Sequence, residues 1–427
     1  MRKPAAKTDE QAFIDAKTAL AMLGVKPQTF YAYVSRGLIR PAPGDDAGRR
    51  MYFRCDVEAA TARGRSDRAI SSSAERSLRW GGAAVMHTAI TFIGPSGPVY
   101  RGHPAIEIAR AGRTFEECVE LLWNGVLPDH PPVWLPAPVP PAFAAFAHAI
   151  CAVAGQNTSR QLLALTADAY IASVGRGSRR EPTTQELSAR HLIRVMASAF
   201  GLLLAKPRLS PGTQVEPVAA VIARSSGIAP VTDALAALNA CLVVAADHEL
   251  TPSTFVARIA ASAGADVLSC VGSALGAFEG QQNGIGCDEC EQALLRETSA
   301  KAYVAVLAKS LAQKKQIAGY NHFVYPDGDL RGDYLLQVAG LAGGKRPGTR
   351  SALARIEAAR KELGVTPTVV AGLVAVCAAL GMPRGSAGAL MAMSRSAGWV
   401  AHAFEQRLTG FAVRPRARYI GSKGPEL

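Results

Sequence analysis

A histidine and an arginine stand nine residues apart in a polar stretch of this chain. His322 lies in Gly-Tyr-Asn-His-Phe-Val-Tyr at 319–325, and Arg331 follows after Asp-Gly-Asp-Leu. A neutral imidazole can polarise a carbonyl group, and a guanidinium can hold a carboxylate through two parallel hydrogen bonds. Helical periodicity at 300–311 and 335–341 predicts that the stretch is a turn between helices. Taken alone, it is more typical of a capped helix end with a surface histidine.

Two further stretches place histidine and arginine in an order that adds to this chemistry. His248 lies in Ala-Asp-His-Glu-Leu, while Arg395 and Arg414 begin Arg-Ser-Ala-Gly-Trp-Val-Ala-His and Arg-Pro-Arg-Ala-Arg-Tyr. Two shorter segments precede them, Val-Tyr-Arg-Gly-His at 99–103 and Phe-Glu-Glu at 115–117. As an ordered set, these segments resemble the citrate synthase family. The resemblance runs from Trp80 to Gly421, about four fifths of the chain.

The resemblance implies an all-α fold, a homodimer whose subunits have a large and a small helical domain with the active site between them. The small subdomain would span roughly 285–385. The implied reaction joins the methyl carbon of an acyl-CoA, such as acetyl-CoA, to the ketone of a 2-oxoacid, such as oxaloacetate, and then hydrolyses the thioester. It needs a carboxylate base, a hydrogen-bond donor for the thioester enolate and a histidine on the ketone. Acyl-CoA would be a co-substrate, with no permanently bound cofactor or metal.

The positions that bind the oxoacid in the family have counterparts here. The resemblance assigns His248 to orienting the oxoacid and His322 to polarising its ketone. It assigns the oxoacid carboxylates to Arg331, Arg395 and Arg414, with Arg414 reaching across the dimer. Without the resemblance, His248 is typical of a helix end and Arg414 of a basic tail. The ordered set favours the assignments to the oxoacid.

The positions that act on the acyl-CoA have changed. The family's Pro-Leu-His-Gly-Gly corresponds to Gly-Gln-Gln-Asn-Gly-Ile-Gly at 280–286, so Asn283 stands where the family has an acid–base histidine. Thr368 falls where the family has its base aspartate, and no acidic residue occurs between Glu362 and Glu405. Asparagine can still donate a hydrogen bond, whereas a threonine hydroxyl cannot act as a base near neutral pH. The sequence therefore predicts reduced activity.

Three functions remain open on these grounds. The first is an acyltransferase of this family that works with displaced groups or on another substrate. The second is a catalytically weak or inactive pseudoenzyme that senses an oxoacid or acyl-CoA and acts as a DNA-binding regulator. The third is a structural subunit that pairs with an active paralogue. The family resemblance favours the first, the missing base favours the second, and a lack of small-molecule binding would favour the third.

Residues 1–62 predict a separate helix-turn-helix module. Two short helical patterns are separated by Gly24, and a Gly/Asp turn at 44–48 leads through a basic hairpin to a third helix from Asp56. This winged layout, which resembles the DNA-binding domains of MerR-type regulators, places the second helix in the major groove and the hairpin on phosphates. The expected base contacts are Gln28, Thr29 and Tyr33, and the expected phosphate contacts are Arg36, Arg49, Arg50 and Arg54. The alternative is a helical module that binds a protein partner.

Length, composition and charge fit a cytoplasmic protein of two or more domains. The 427 residues exceed what one hydrophobic core usually supports. Residues 1–79 carry 15 basic and 9 acidic side chains, and the Ser/Arg-rich segment 63–79 predicts a linker before a domain at 80–427. Neither a signal peptide nor a membrane span is indicated. The basic N-terminal part is an electrostatic feature expected of nucleic-acid binding.

Helical periodicity dominates from Pro104 to about Glu405, after a β-hairpin predicted within 80–100. The clearest helical patterns lie at 115–123, 231–246, 255–278, 353–363, 369–380 and 386–404. The eight cysteines show no disulfide framework, and Cys287 and Cys290 form a single CxxC. A structural zinc site would need a second ligand pair, so a redox pair is the remaining, less favoured, alternative.

Overall fold

The computed structural model describes residues 12–35, 37–42, 49–66, 86–174, 182–280, 284–297 and 299–414. These residues are mainly helical, as the sequence predicts. Within these ranges, no helix is both long and apolar enough to cross a membrane.

The N-terminal part folds around its own small core. Its elements are β1 (Phe13–Asp15), α1 (Ala16–Leu23), α2 (Pro27–Ser35), β2 (Pro41–Ala42), β3 (Met51–Phe53) and α3 (Arg54–Ser66). Asp15 caps α1 by accepting a hydrogen bond from the Thr18 amide, and Gly24 ends the helix in the left-handed conformation that glycine permits. The strands form one antiparallel sheet in the order β1-β3-β2, and sequence reasoning missed β1. Phe30, Ile39 and Tyr52 are among the buried residues of this core.

The remainder of the chain begins with a short sheet and continues as helices. The predicted hairpin forms from β4 (Thr91–Gly94) and β5 (Gly97–Tyr100), and β6 (His103–Pro104) pairs with β5. The helices that follow are α4 (Ala105–Arg110), α5 (Phe115–Asn124), α6 (Pro141–Val153), α7 (Ser159–Ser173), α8 (Pro182–Ser198), α9 (Val218–Ser225), α10 (Thr232–Val244), α11 (Pro252–Ser262), α12 (Val267–Phe278), α13 (Gly284–Arg296), α14 (Ala300–Ala312), α15 (Leu330–Gly343), α16 (Pro347–Leu363), α17 (Val369–Leu380) and α18 (Ser386–Thr409). Short 3-10 helices occupy Ala154–Gln156 and Ala199–Leu203.

The helical pattern predicted over 255–278 is two helices rather than one. The chain leaves α11 through Gly264, whose φ of +85° is left-handed, and Asp266 then caps α12 by accepting from the Ser269 amide. Apolar residues keep their helical spacing across the break because both helices bury one face in the same core. Periodicity alone therefore does not reveal the turn.

Helices α15 and α17 pack closely against each other along their length. A Cβ added at Gly372 would lie 2.6 Å from Cβ of Leu335, and one at Gly343 would lie 2.7 Å from the Ala379 carbonyl oxygen. Glycine at these positions lets the two helix backbones approach. The first residues of α15 and α17 thereby lie side by side.

The N-terminal part is docked on the helical body rather than simply tethered to it. Helix α3 packs on α18 and extends to Ser66, into the segment predicted as a linker; residues 67–85 lie outside the described part. The Arg40 guanidinium donates to both carboxylate oxygens of Asp56 at 3.0 and 2.9 Å. It also donates to Asn124 on α5 at 2.6 Å and to Glu186 on α8 at 2.5 Å. Arg40 thus joins the module to two helices of the body.

Candidate active site

His322 lies in a turn that is tied to the segment before α17. Asn321, with a left-handed φ of +51°, donates its amide to the Thr366 carbonyl at 2.8 Å, and its side-chain oxygen accepts the Thr366 amide at 2.9 Å. The Thr368 amide donates to the Gly319 carbonyl at 2.8 Å. Left-handed backbone at a non-glycine residue is strained and is often found at functional sites. This clamp holds the backbone that carries His322.

His322 is arranged as a neutral hydrogen-bond donor. Its Nδ1 accepts a hydrogen bond from the Val324 amide at 3.2 Å, so the proton of the neutral ring is on Nε2. Burial and then the positive charge of Arg331 lower the pKa of His322 to about 4. At neutral pH the ring therefore presents an uncharged N–H, which is the form that can polarise a ketone oxygen without giving up its proton.

His248 follows α10 and faces His322. The two ring centroids are 5.3 Å apart, and Nε2 of His248 shares a hydrogen bond of 2.8 Å with the Tyr325 hydroxyl. Burial, together with the nearby Arg331 and Arg395, lowers the pKa of His248 well below its ordinary value. Both histidines are therefore neutral in the folded protein at neutral pH.

The preceding residue, Asp247, anchors His248 to α18. Nε2 of His402 donates to Asp247 at 3.2 Å, and Nδ1 of His402 accepts from Arg258. Gly398 makes the approach feasible, because an added Cβ would lie 2.8 Å from the Ala246 carbonyl oxygen and collide with the Asp247 carboxylate. The carboxylate keeps a pKa below its ordinary value: burial would raise it, but His402 and Arg395 outweigh burial.

Arg331 is buried at the start of α15 and is only partly satisfied. Its Nε and one terminal nitrogen donate to the two oxygens of Asp329, each at 2.9 Å, and its charge lies 5.2 Å from the Tyr325 ring centre. The other terminal nitrogen, Nη1, has no hydrogen-bond partner among the described residues. A buried guanidinium nitrogen without an acceptor favours an anionic ligand, because leaving a charged donor unsatisfied is costly.

Arg395 lies in the middle of α18 with the same deficiency. It is 4 % exposed, and its Nη1 also lacks a partner within the described part of the chain. Burial lowers its pKa and Arg331 adds to this, whereas Asp247 opposes it. Two like charges buried near one another repel unless an anion lies between them. The structure thus brings His248, His322, Arg331 and Arg395 together as the sequence predicts.

Thr368 lies next to this group and caps α17. Its hydroxyl accepts from the Val370 amide at 3.3 Å, and the residue is 5 % exposed. The neighbouring Val369 amide donates to Asp329 at 2.9 Å, so the Arg331 partner also holds the start of α17. Thr368 is therefore well placed beside the site but supplies a hydroxyl, not a carboxylate.

Two of the expected site residues are not part of this arrangement. Asn283 lies outside the described residues. Arg414 is exposed after the end of α18, and among the described residues of one protomer no hydrogen bond or ion pair connects it with the site. The role expected for Arg414 requires a second subunit and stays a prediction.

Sequence reasoning missed Tyr325 and Asp329 as site residues. Tyr325 holds His248, and Asp329 links Arg331 to α17. Both lie within the polar stretch around His322. Their closeness to this histidine in the sequence was the only feature that could have indicated them as site residues. Their roles depend on contacts with residues 77 and 40 positions away, respectively, which spacing does not reveal.

The single CxxC does not form a reactive pair. Cys287 and Cys290 lie one turn apart in α13, and both thiols are free and buried. Burial raises the pKa of Cys287 to about 12 and raises that of Cys290 as well. A redox-active cysteine needs a thiolate, which burial disfavours. No cluster of three metal-ligating side chains occurs in the part of the chain that the structure describes.

The residues proposed for DNA contact have different surroundings in the N-terminal module. Gln28, Arg49 and Arg50 are exposed and Thr29 is half-buried. Tyr33 packs against the small core, which is a poor position for reading bases. Arg54 forms an ion pair with Glu58 at 2.9 Å. Arg36 lies outside the described residues.

The lowered pKa of His322 predicts a pH-dependent stability. The unfolded chain takes up a proton on this histidine near pH 6.5, whereas the folded protein does so only near pH 4. The contribution is therefore fully present above pH 6.5 and is lost as pH falls from 6.5 towards 4. Urea unfolding at several pH values should show a shallower decline for His322→Gln than for the wild type. The matched variant is His130→Gln, at an exposed histidine; equal slopes for the wild type and His322→Gln would contradict the assignment.

Comparison with known proteins identifies a family for most of the chain. The family model described as "Citrate synthase, C-terminal domain" matches residues 79–416. Citrate synthase 2 of Bacillus subtilis is 31 % identical over 260 residues, covering 57 % of this chain and 68 % of the relative. Citrate synthase of Haloferax volcanii is 27 % identical over 371 residues, covering 80 % and 95 %. A 2-methylcitrate synthase of Mycobacterium tuberculosis is 25 % identical over 353 residues, covering 80 % and 89 %.

Among solved structures, one similar to this chain is citrate synthase of Thermoplasma acidophilum in complex with carboxymethyl coenzyme A and oxaloacetate. Its TM-score is 0.73 at 20 % sequence identity, and the match covers 84 % of this chain and 98 % of that one. At this identity the match establishes the fold of the helical body. The module formed by residues 12–66 precedes the region that the family model matches.

Proposed function

The chain belongs to the citrate synthase family, and we propose that it binds a dicarboxylic 2-oxoacid of the oxaloacetate type at the site between α10, α15 and α18. The observation that supports this proposal most directly is the pair of buried guanidinium groups, each with an Nη1 that lacks a partner among the described residues. They lie beside two histidines whose pKa values are lowered. Two cations suit two carboxylates, and a neutral imidazole N–H suits the ketone between them.

Each residue would have a distinct task. Arg331 and Arg395 would each hold a carboxylate, and Nε2 of His322 would donate to the ketone oxygen. His248, fixed by Tyr325, would orient the ligand through the remaining face of the site. The dianion would add to Asp329 and Asp247 in offsetting the repulsion between the two arginines.

We infer that an acyl-CoA is the second ligand and that condensation is slow. The family's co-substrate is acetyl-CoA, and the relatives include a citrate synthase and a 2-methylcitrate synthase. At the positions that would act on the acyl group, this chain has Thr368 and Asn283. Loss of a positioned acid or base costs about 10²–10⁴ in rate. A cytoplasmic homodimer in which Arg414 reaches the partner's site completes the proposal.

Thermal unfolding with a set of acids tests the oxoacid assignment. Oxaloacetate at 100 times its dissociation constant is expected to stabilise the protein by about 2.7 kcal/mol. Pyruvate lacks the second carboxylate and malate lacks the ketone, so both should stabilise the protein less at the same concentration. Equal shifts for the three acids would contradict recognition of both groups. No shift with any acid, and none with acetyl-CoA, would favour a structural subunit.

A second candidate function is DNA binding that depends on the ligand, and the N-terminal module favours it. Helices α1 and α2 are joined by a tight turn, and strands β2 and β3 lead into α3, which is the order of a winged helix-turn-helix. Arg49 and Arg50 lie exposed immediately before β3. A homodimer would present two such modules, which implies a site with two-fold symmetry.

The DNA prediction concerns Arg49 and Arg50. Replacing both with glutamine is expected to weaken binding to duplex DNA. The negative slope of log affinity against log salt should become shallower by about 1.8, because each lost phosphate contact removes about 0.9. Fluorescence anisotropy at several salt concentrations measures this. The control Lys301→Gln with Lys345→Gln removes the same charge from exposed positions of the body. If both double variants behave alike, the module does not contact phosphates through these arginines.

A further inference from the structure

The proposed function assigns no role to His402, a histidine of α18. It lies seven residues, and so about two turns, after Arg395, which places both on one side of the helix. Its side chain is fully buried, and both of its ring nitrogens have polar neighbours. A buried imidazole with a partner at each nitrogen is held in one orientation and one tautomer.

Arg258 of α11 fixes the tautomer of His402. Its Nη1 lies 3.2 Å from Nδ1 of the imidazole, and a guanidinium can only donate, so Nδ1 accepts and the proton of the neutral ring is on Nε2. Arg258 is itself held in place by Glu405 at 2.6 Å and by Gln406 at 3.0 Å. Nε2 of His402 then donates to Oδ2 of Asp247 at 3.2 Å. The direction of this hydrogen bond is therefore set by contacts within the body.

The same carboxylate oxygen holds the backbone around His248. Oδ2 of Asp247 accepts the Glu249 amide at 3.1 Å, which closes a turn with His248 in the middle, and Glu249 has a left-handed φ of +57°. On the other side, the Tyr100 hydroxyl accepts the Asp247 amide at 3.2 Å. Asp247 thus connects His402 to the backbone that carries the histidine expected to orient the oxoacid.

Asp247 and Arg395 attract each other without forming an ion pair. Burial would raise the pKa of the Asp247 carboxyl, but His402 and Arg395 hold it below its ordinary value; Asp247 in turn opposes the lowering of the Arg395 pKa by burial. Among the described residues, Oδ1 of Asp247 and Nη1 of Arg395 both lack a hydrogen-bond partner, as does the nearby Thr91 hydroxyl. Two unpaired buried groups of opposite charge stay apart only if other contacts restrain them.

We propose that His402 is a positioning residue of the oxoacid site, which keeps the Asp247 carboxylate turned away from Arg395. Nη1 of Arg395 thereby stays open for a ligand carboxylate, and the turn that carries His248 keeps its shape. Without the His402 N–H, the Glu249 amide would remain, and the carboxylate would turn towards Arg395 and compete with the ligand for the guanidinium. This inference rests on the proposed function, because a free Nη1 matters only if an anion binds there.

Removal of the His402 imidazole is expected to weaken oxaloacetate binding in a protein that still folds. In calorimetric titrations of the full chain, His402→Leu should raise the dissociation constant at least about tenfold, because an internal ion pair competes with the ligand for Arg395. His402→Gln should stay within about threefold of the wild type, because its amide N–H can replace that of Nε2. The control Leu390→Ala makes a cavity under the same helix, so it should lower the stability to urea and leave the affinity unchanged.

A double-mutant cycle with Asp247→Asn separates positioning from packing. In the Asp247→Asn background no carboxylate is left to pair with Arg395, so His402→Leu should change the dissociation constant by less than about threefold. An equal loss in both backgrounds, or a folded His402→Leu that binds oxaloacetate as the wild type does, would overturn the proposal. A wild type that binds no oxaloacetate would overturn the proposed function, and this inference with it. If His402→Leu does not fold, His402→Asn, whose amide is too short to reach Asp247, replaces it with the same expected results.

Discussion

Restoring a carboxylate at position 368 and a histidine at position 283 is expected to raise citrate formation from oxaloacetate and acetyl-CoA by about 10²–10⁴-fold for each group. Aspartate suits position 368 because Thr368 caps α17, and aspartate is a good N-cap residue. Asp329 lies close by, since it accepts the Val369 amide. Arg331 pairs with both oxygens of Asp329, so the new carboxylate would not face an uncompensated like charge.

Steady-state release of free coenzyme A measures this gain in Thr368→Asp combined with Asn283→His. The control is Gln313→Glu, which adds a carboxylate at an exposed position outside the site. That control should show no gain. A wild-type rate typical of the family, or a folded double variant that is no faster than the wild type, would show that another group serves as base.

Arg395→Gln is expected to weaken oxaloacetate binding by about 10- to 150-fold. A hydrogen bond to a charged group contributes about 1.5–3 kcal/mol, and this guanidinium has a terminal nitrogen with no partner among the described residues. Glutamine keeps most of the side-chain length and a polar end. Because burial of the Arg395 charge outweighs its attraction to Asp247, and Arg331 adds repulsion, we expect the ligand-free variant to be at least as stable as the wild type.

Calorimetric titration measures the affinity, and urea unfolding of the ligand-free proteins shows that the variant is folded. Arg110→Gln serves as the matched control, because Arg110 is an exposed arginine that pairs with Glu107 and is not one of the site residues. It should bind oxaloacetate as the wild type does. An unchanged dissociation constant for Arg395→Gln would remove Arg395 from the site.

The sequence predicted the parts of the fold that local chemistry determines. Helix α17 begins and ends where expected, because Thr368 caps it and Gly381 ends it in a left-handed conformation. The hairpin turn of glycine, proline and serine at 94–97 was equally local. The resemblance predicted that His248, His322, Arg331 and Arg395 belong together, and the structure brings them together.

The sequence could not predict contacts between distant segments, because the residues that form them belong to types found throughout the chain. Asp329 resembles any helix cap until it is seen to hold Arg331 and the Val369 amide at once. Arg40 resembles a surface arginine of a basic module, yet it bridges Asp56, Asn124 and Glu186. The docking of the module follows from such pairings and from no local pattern.

Calorimetric titration of the full-length wild-type protein with oxaloacetate, followed by acetyl-CoA on the same sample, tests the central claim most directly. We predict saturable, exothermic binding of one oxaloacetate per chain, with formation of citrate slow enough to leave the complex intact during the titration. A protein that is folded, with the cooperative urea unfolding of an ordered chain, and yet shows no heat with oxaloacetate at millimolar concentration would contradict the account.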